Sequence, residues 1–298
     1  MSLSVLNNVS ATYATNNLNK TSNSLSTVLQ QLSSGSKINS GADDAAGLSL
    51  VNGLQANQNA LAQSANNATE GIGLLQVADG ALSQVTSLLD RAITLATESA
   101  NGTLNTTQVS AANQEYQSIL SEITNIGATT TYNQQKVFGN SYTIYTGDSS
   151  SSGASFDNLI FASLNASTGS VGDQGGSISY SSSTLGGTIS YATGSGVTLA
   201  SSLTYSTAAS ALTSLNSAVT AVSAQDGYIG AQINLLSAIS NVETSQQTNI
   251  QSAQNAVQAT DYASASSNMS KYEILSQTGI SALAQANSVQ QQVTKLLS

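Results

Sequence analysis

Leu54, Leu61, Ala68, Leu75, Leu82, Leu89 and Ala96 recur every seven residues without a miss. A straight α-helix drifts by about 20° per seven residues, so a repeat this strict implies coiled-coil-like packing along one face. The spacing predicts a single long helix over residues 42–100, stopped by Asn101-Gly102. Nothing in the chain forbids such length, because its 298 residues contain no proline. Average usage of about 5% would supply roughly fifteen, and each one inside a helix removes a hydrogen bond and kinks the rod. Gly53, Gly71, Gly73 and Gly80 interrupt the helix propensity, each costing up to about 1 kcal/mol against Ala. Close approach of a neighbouring helix would offset that cost.

The two ends carry narrower stripes that read as partners. Leu18, Leu25, Leu29 and Leu32 fall on one helical face. Tyr272, Leu275, Ala282, Ala286, Val289, Val293 and Leu296 keep the same 3, 4 and 7 spacing near the other end. A lone helix with such a stripe is marginal in water, since most helix stability comes from packing that face. The expectation is that the ends meet each other and further copies of the chain, which makes Leu18, Leu25, Leu29, Leu32, Leu275, Val289, Val293 and Leu296 the candidate assembly core.

Between them, Val109, Ala112, Tyr116, Ile119, Ile123 and Ile126 predict a third helix over about 107–126, with Gly127 as its stop. Strand signals follow near Lys136–Phe138, Ser141–Tyr145 and Leu159–Ala162. Residues 166–206 are rich in Gly, Ser and Thr, with Ile178, Tyr180, Ile189 and Tyr191 at strand spacing; a small hairpin and an unstructured linker both fit that composition. A fourth helix over about 207–260 carries Leu212, Leu215, Val219, Val222, Ile229, Ile233 and Leu236, with Asp226 intruding at one core position, and Ile239, Val242, Ile250, Ala253 and Val257 continue the stripe after a small shift. The fold class is mainly α: a long-helix bundle with coiled-coil termini and a small β-hairpin region inserted between helices three and four. The domains expected are 1–41 with 262–298, 42–165 with 207–261, and a small outer insert at 166–206.

Composition narrows the chemistry. With no Cys and no His, the common zinc and copper ligand sets are missing, and so are serine–histidine and cysteine–histidine nucleophilic pairs. The net charge of −9 is uneven: residues 1–41 carry +2 and 262–298 carry +1, leaving −12 for the middle. An acidic body argues against nucleic acid as a partner, and nearly uncharged ends fit burial in an assembly. No signal peptide is expected, because no apolar run precedes Lys20, and no apolar run approaches a membrane span. Asp43-Asp44 is the most enzyme-like pair. Adjacent carboxylates suit a hard cation only with several more oxygen ligands, whereas acids at a helix start cap free N–H groups and meet the favourable end of the macrodipole.

Several motifs, in order, resemble those of bacterial flagellins. They run from Asn17-Leu18-Asn19-Lys20 through Gln31-Leu32-Ser33-Ser34-Gly35-Ser36-Lys37-Ile38-Asn39-Ser40 to Asp43-Asp44-Ala45-Ala46-Gly47, with Ser99-Ala100-Asn101 and Tyr132-Asn133 further on. Asp261-Tyr262-Ala263, Ser267-Asn268-Met269-Ser270 and Leu283-Ala284-Gln285-Ala286-Asn287 carry the likeness near the other end. The resemblance implies a secreted structural subunit of the extracellular flagellar filament, a homopolymer of use in motility, with no cofactor and no metal, no membrane and no nucleic acid. It implies type III export, and as partners a flagellar export chaperone, the cap and the hook-junction proteins. The related hook–filament junction protein is the alternative reading. Metalloprotease inserts of some members need His-Glu-x-x-His, which a chain without His lacks, so no enzyme activity is expected. The family also uses positions like Arg91, Leu95 and Glu115 to contact a vertebrate innate immune receptor.

Overall fold

The computed structural model describes residues 8–147, 154–165, 170–174, 178–181, 188–191, 195–197, 204 and 207–297. In chain order these form α1 (Val9–Ser34), α2 (Ala45–Ser99), α3 (Thr106–Thr129), β1 (Thr131–Tyr132), β2 (Gln135–Lys136), β3 (Ser141–Gly147) and β4 (Ala154–Ile160). There follow β5 (Leu164–Asn165), β6 (Ser170–Gln174), β7 (Ile178–Ser181), β8 (Thr188–Tyr191), β9 (Ser195–Val197), α4 (Ala208–Gln258) and α5 (Tyr262–Leu297). The fold is mainly α, with its strands between α3 and α4, as the pattern of stripes predicts. Two compact units emerge, one of residues 1–55 with 249–298 and one of residues 56–248.

In the first unit α1 and α5 pack antiparallel along their length. Asn8 Nδ2 donates to Ala286 O (3.1 Å), Gly279 lies against Leu18, and Gly35 against Tyr262. Half-buried and buried residues recur alternately three and four apart on α1: Ala11, Ala14, Leu18, Thr21, Leu25, Val28 and Leu32. On α5 they are Ala265, Met269, Tyr272, Ser276, Gly279, Leu283, Ala286 and Gln290. Both are a/d seams of the coiled-coil kind. At the end of α1, Gly35 adopts φ +71° and its N–H caps Gln31 O (2.9 Å). Lys37 N–H then donates to Gln258 O (2.7 Å) and Thr260 N–H to Gly35 O (3.1 Å), tying the two chain segments together.

The seven-residue repeat forms the core of the second unit. Leu61, Ala68, Leu75, Leu82, Leu89 and Ala96 are all buried, the last five packed with Tyr116, Ile119 and Ile123 of α3 and Leu215, Val222, Ile229 and Leu236 of α4; Leu54, the first of the repeat, belongs to the other unit and is half-buried. By length and composition α2 is apolar enough to cross a bilayer, alone in this among the described residues and contrary to the sequence reading; many of its apolar residues instead line the bundle core. At α3, Asn105 and Gln108 exchange side chain-to-backbone bonds (both 2.9 Å) as a capping box. The helix does not stop at Gly127 but runs on to Thr129. Gly127 serves contact instead, since a Cβ there would meet the Leu164 carbonyl oxygen at 2.1 Å. Close helix approach accounts for one glycine of the four: Gly71 lies against Leu236 of α4 and also Ile144 of β3, Gly73 meets Tyr132 of β1 and no helix, and Gly53 and Gly80 face open space.

Between the long helices, β1 and β2 form a hairpin whose turn residues Asn133 and Gln134 both adopt positive φ, as a type I′ turn requires. β3 and β4 pair antiparallel from Ser141↔Ile160 to Gly147↔Ala154. β7 and β8 pair as Ile178↔Tyr191 and Tyr180↔Ile189, so the hairpin reading of that stretch holds for the backbone. One edge of β4 is bonded by β3, and its other edge is met by side chains of α4. Tyr228 donates its hydroxyl to Asn158 O (3.0 Å) and accepts from Ile160 N–H (3.2 Å) and Gln232 Nε2 (3.1 Å). Gln225 accepts from Ala162 N–H (3.2 Å) and donates to Ile160 O (3.1 Å). A helix thus supplies, from two side chains one turn apart, the hydrogen bonds a further strand would have made. Asp226, expected to intrude on the core, is exposed beside them; Gln225 takes the inward position. Tyr228→Phe should cost about 1–3 kcal/mol, because buried backbone groups lose their partner without any change of shape. Urea unfolding would check this, and an unchanged midpoint would mean that the edge is satisfied otherwise.

Candidate assembly surface

The α1/α5 pair buries one seam and leaves other apolar side chains in water. Val9, Tyr13 and Leu29 on α1 and Tyr262, Ile274, Leu275, Ile280 and Val289 on α5 are all exposed, Tyr13 at 68% and Ile274 at 62%. Single exposed apolar residues are ordinary on a protein surface; eight spread around one helix pair leave much apolar area in want of cover. The unit's charges balance, Lys20, Lys37, Lys271 and Lys295 against Asp43, Asp44, Asp261 and Glu273. The other unit holds eleven acids against Arg91 and Lys136. Copies of a neutral helix pair pack without repulsion, whereas copies of the acidic unit repel unless kept in solvent.

The candidate assembly residues divide between seam and surface. Leu18, Leu25 and Leu32 lie half-buried in the seam, with Val28 the fully buried member. Leu29, Leu275 and Val289 are exposed in the single chain. The side chains of Val293 and Leu296 lie outside the described residues. The stripe read on α5 therefore merges two faces: Tyr272 and Ala286 belong to the seam, Leu275 and Val289 to the surface beside it. What hid the division is that Ser276 and Gly279 occupy seam positions, where small residues let the two backbones approach.

Asp44 caps α2, whereas Asp43 closes the loop ahead of it. Asp44 Oδ1 accepts from Gly47 N–H (2.9 Å) and its carbonyl from Leu48 N–H (2.9 Å), which starts α2. Asp43 Oδ2 accepts from Asn39 N–H (3.1 Å), Ser40 N–H (2.8 Å) and Ser40 Oγ (3.0 Å). These bonds, the Asn39 amide first, hold its carboxyl below the usual carboxylate range. In the acidic unit, Arg91 Nε and Nη2 grip Glu115 Oε1 and Oε2 (2.7 and 3.0 Å) in an exposed bidentate pair. The pair lowers the Glu115 carboxyl and raises the Arg91 guanidinium. Leu95, one turn from Arg91, is buried in the bundle core.

One cluster escaped the sequence reading. Ser64 Oγ accepts from Gly147 N–H (2.7 Å) and donates to Glu243 Oε1, joining α2, β3 and α4. Glu243 Oε2 and both carboxylate oxygens of Asp157 are buried without a well-formed hydrogen bond. Desolvation raises both carboxyls, that of Asp157 to about 6, with the Asn158 amide offsetting part of the effect there and Ser64 part of it at Glu243. Ser64 and Glu243 are 179 residues apart, and no short-range pattern announces such a pair.

Comparison with known proteins identifies the family. Residues 5–143 match the bacterial flagellin N-terminal helical region and residues 212–297 the bacterial flagellin C-terminal helical region. Polar flagellin C of Vibrio parahaemolyticus is 39% identical over 142 residues, 48% of this chain and 37% of that protein's own length. The flagellin of Listeria monocytogenes is 32% identical over 284 residues, 94% of each chain. The crystal structure of Bacillus cereus flagellin is similar at 25% identity and a TM-score of 0.46, covering 63% of this chain and 94% of that one. With both terminal helical regions matched, and one relative aligned almost end to end, the chain belongs to the bacterial flagellin family.

Proposed function

We propose that this chain is a structural subunit that polymerises into an extracellular flagellar filament for motility, without catalytic activity of its own. The observation that carries the reading is the charge-balanced α1/α5 pair with its uncovered Val9, Tyr13, Leu29, Ile274, Leu275, Ile280 and Val289. Its end-to-end similarity to a Listeria flagellin supports it. On this reading residues 1–41 and 262–298 form the filament's inner core, residues 42–165 and 207–261 a surrounding bundle, and residues 166–206 a small outer insert. Copies of the same chain are its main partners. An export chaperone, the cap and the hook-junction proteins meet it in transit and at the filament ends. An innate immune receptor, if it binds, meets the exposed Arg91–Glu115 pair; buried Leu95 contributes by shaping the helix under them.

Purified full-length protein at high concentration should form filaments visible by negative-stain electron microscopy. Removing residues 262–298 should abolish them and leave a soluble helical protein. Because that deletion also strips the seam from α1, Ile280→Asp is the finer test. Ile280 is exposed in the single chain, so the variant should keep its circular dichroism and thermal midpoint yet fail to polymerise. Normal filaments from either variant would show that this face is not the assembly core.

A further inference from the structure

The chain holds two Asn-Gly pairs, Asn52-Gly53 and Asn101-Gly102, and the fold treats them in opposite ways. Gly53 lies well inside α2, where its N–H belongs to the helical hydrogen-bond ladder. Asn101 and Gly102 are both exposed in the loop that joins α2 to α3. There Asn101 N–H donates to Glu98 O (3.1 Å) and Asn101 O accepts from Leu104 N–H (3.3 Å). Thr103 N–H donates to the side-chain oxygen, Asn101 Oδ1 (3.3 Å). The Gly102 N–H makes no hydrogen bond with a described residue.

We infer that Asn101 is a site of spontaneous covalent modification, in which the Gly102 amide nitrogen attacks the side-chain amide carbon of Asn101. The nitrogen gives up its proton to solvent hydroxide and bonds to Cγ; the Cγ–Nδ2 bond breaks as Nδ2 takes a proton from water, so that ammonia leaves, hydroxide is regenerated and a cyclic imide closes. Water then opens the ring at either carbonyl, giving aspartate or, with the main chain rerouted through the side chain, isoaspartate. The local geometry favours each part of this. Gly102 has no Cβ to hinder the approach, and its N–H is not held elsewhere. Thr103 N–H already sits on the oxygen where negative charge develops in the tetrahedral intermediate, as a donor in an oxyanion hole does. At Gly53 the same nitrogen is bound in the helix ladder.

The product puts a carboxylate at the C-terminal end of α2. The helix macrodipole is negative there, Glu98 is a turn away, and the unit already holds eleven acids against two bases. Isoaspartate also lengthens the main chain just ahead of the Asn105–Gln108 capping box. Conversion loosens the α2–α3 turn while leaving the start of α3 capped. On the filament reading, subunits outside the cell are no longer replaced by synthesis, so the converted fraction would record subunit age; the chemistry itself does not depend on that reading.

The test uses soluble full-length protein held at mildly alkaline pH, followed by peptide mass spectrometry with isoaspartyl methyltransferase labelling. The expected result is conversion at Asn101 and none at Asn52, loss of the converted peptide in Asn101→Gln, and marked slowing in Gly102→Ala. In urea Asn52 should convert as well, which shows that the helix protects it. Equal conversion at both sites in the folded protein would overturn the inference. So would an Asn101 that stays intact when folded yet converts in urea. Because monomer suffices, a failure to polymerise leaves this measurement untouched.

Discussion

Gly127→Ala should destabilise the acidic unit by about 3 kcal/mol or more, an unusually large effect for a single methyl group. Gly127 is buried in the last turns of α3, and an added Cβ would stand 2.1 Å from Leu164 O and 2.7 Å from Leu164 Cβ. The first of these contacts is to backbone, which cannot rotate away as a side-chain tip can. Either α3 or β5 must move, and Leu164 itself belongs to the hydrophobic core. Gly80→Ala makes the matching control. Gly80 lies in the middle of α2 with nothing within 4 Å of its would-be Cβ, so there Ala should stabilise by up to about 1 kcal/mol through helix propensity alone. The same substitution therefore has opposite signs at the two positions. Urea unfolding followed by circular dichroism decides it, and equal midpoints for the two variants would mean that α3 and β5 do not approach as described.

The same glycine marks where the sequence is legible and where it is not. Gly after an apolar helical run most often ends the helix, so Gly127 reads as a stop; that it instead admits the Leu164 carbonyl depends on a residue 37 positions away, beyond any local pattern. The stripe from Leu54 to Ala96 is readable because a repeat near 3.5 residues repeats its burial too: every member from Leu61 on is buried, and Leu54 is half-buried. The α1/α5 pairing was readable in outline, from two apolar stripes with no other partner. Its register was not. Counting apolar residues passes over Ser276 and Gly279, whose smallness is what places them in the seam. In the candidate surface, Leu18, Leu25 and Leu32 were read as one set with Leu29 because spacings of three and four do not separate a seam from its flank. The bonds from Gln225 and Tyr228 to the edge of β4 were hidden for a different reason. A Gln and a Tyr on a helix have many uses, and only the tertiary fold brings a strand edge to them. Asp226 departs from the expected core position by the same one-residue rotation that brings Gln225 inward.

Asp157→Asn should stabilise the acidic unit at neutral pH and flatten its pH dependence. Asp157 lies on β4 opposite Ile144 of β3, is 4% exposed, and interacts with Tyr228 from α4, whose hydroxyl is raised chiefly by its own burial and in smaller part by the Asp157 charge. No cation contributes at this position, and only the Asn158 amide eases the charge. Its folded pKa of about 6 stands above the ordinary 3.8, so the unfolded chain ionises first as pH rises. Below about pH 4 both states are protonated and the group costs nothing. From there to about 6 the stability falls, and above 6 the loss is constant at roughly 3 kcal/mol, from about 1.4 kcal/mol per pKa unit. The rest of the unit's eleven acids weaken it in the same direction through mutual repulsion, so the wild-type curve alone would not identify Asp157. The difference between wild type and Asp157→Asn does, provided an exposed acid such as Asp90 is changed to Asn as a charge control. Urea midpoints at pH 4.5 and pH 7.5 should separate wild type from Asp157→Asn by the full amount at the higher pH and by only about a third of it at the lower, with Asp90→Asn following wild type throughout. A gap that stays the same at both pH values would mean that the Asp157 carboxyl is ionised in the folded chain, and its burial among Ile144, Tyr228 and the β4 backbone would need a partner that holds the charge.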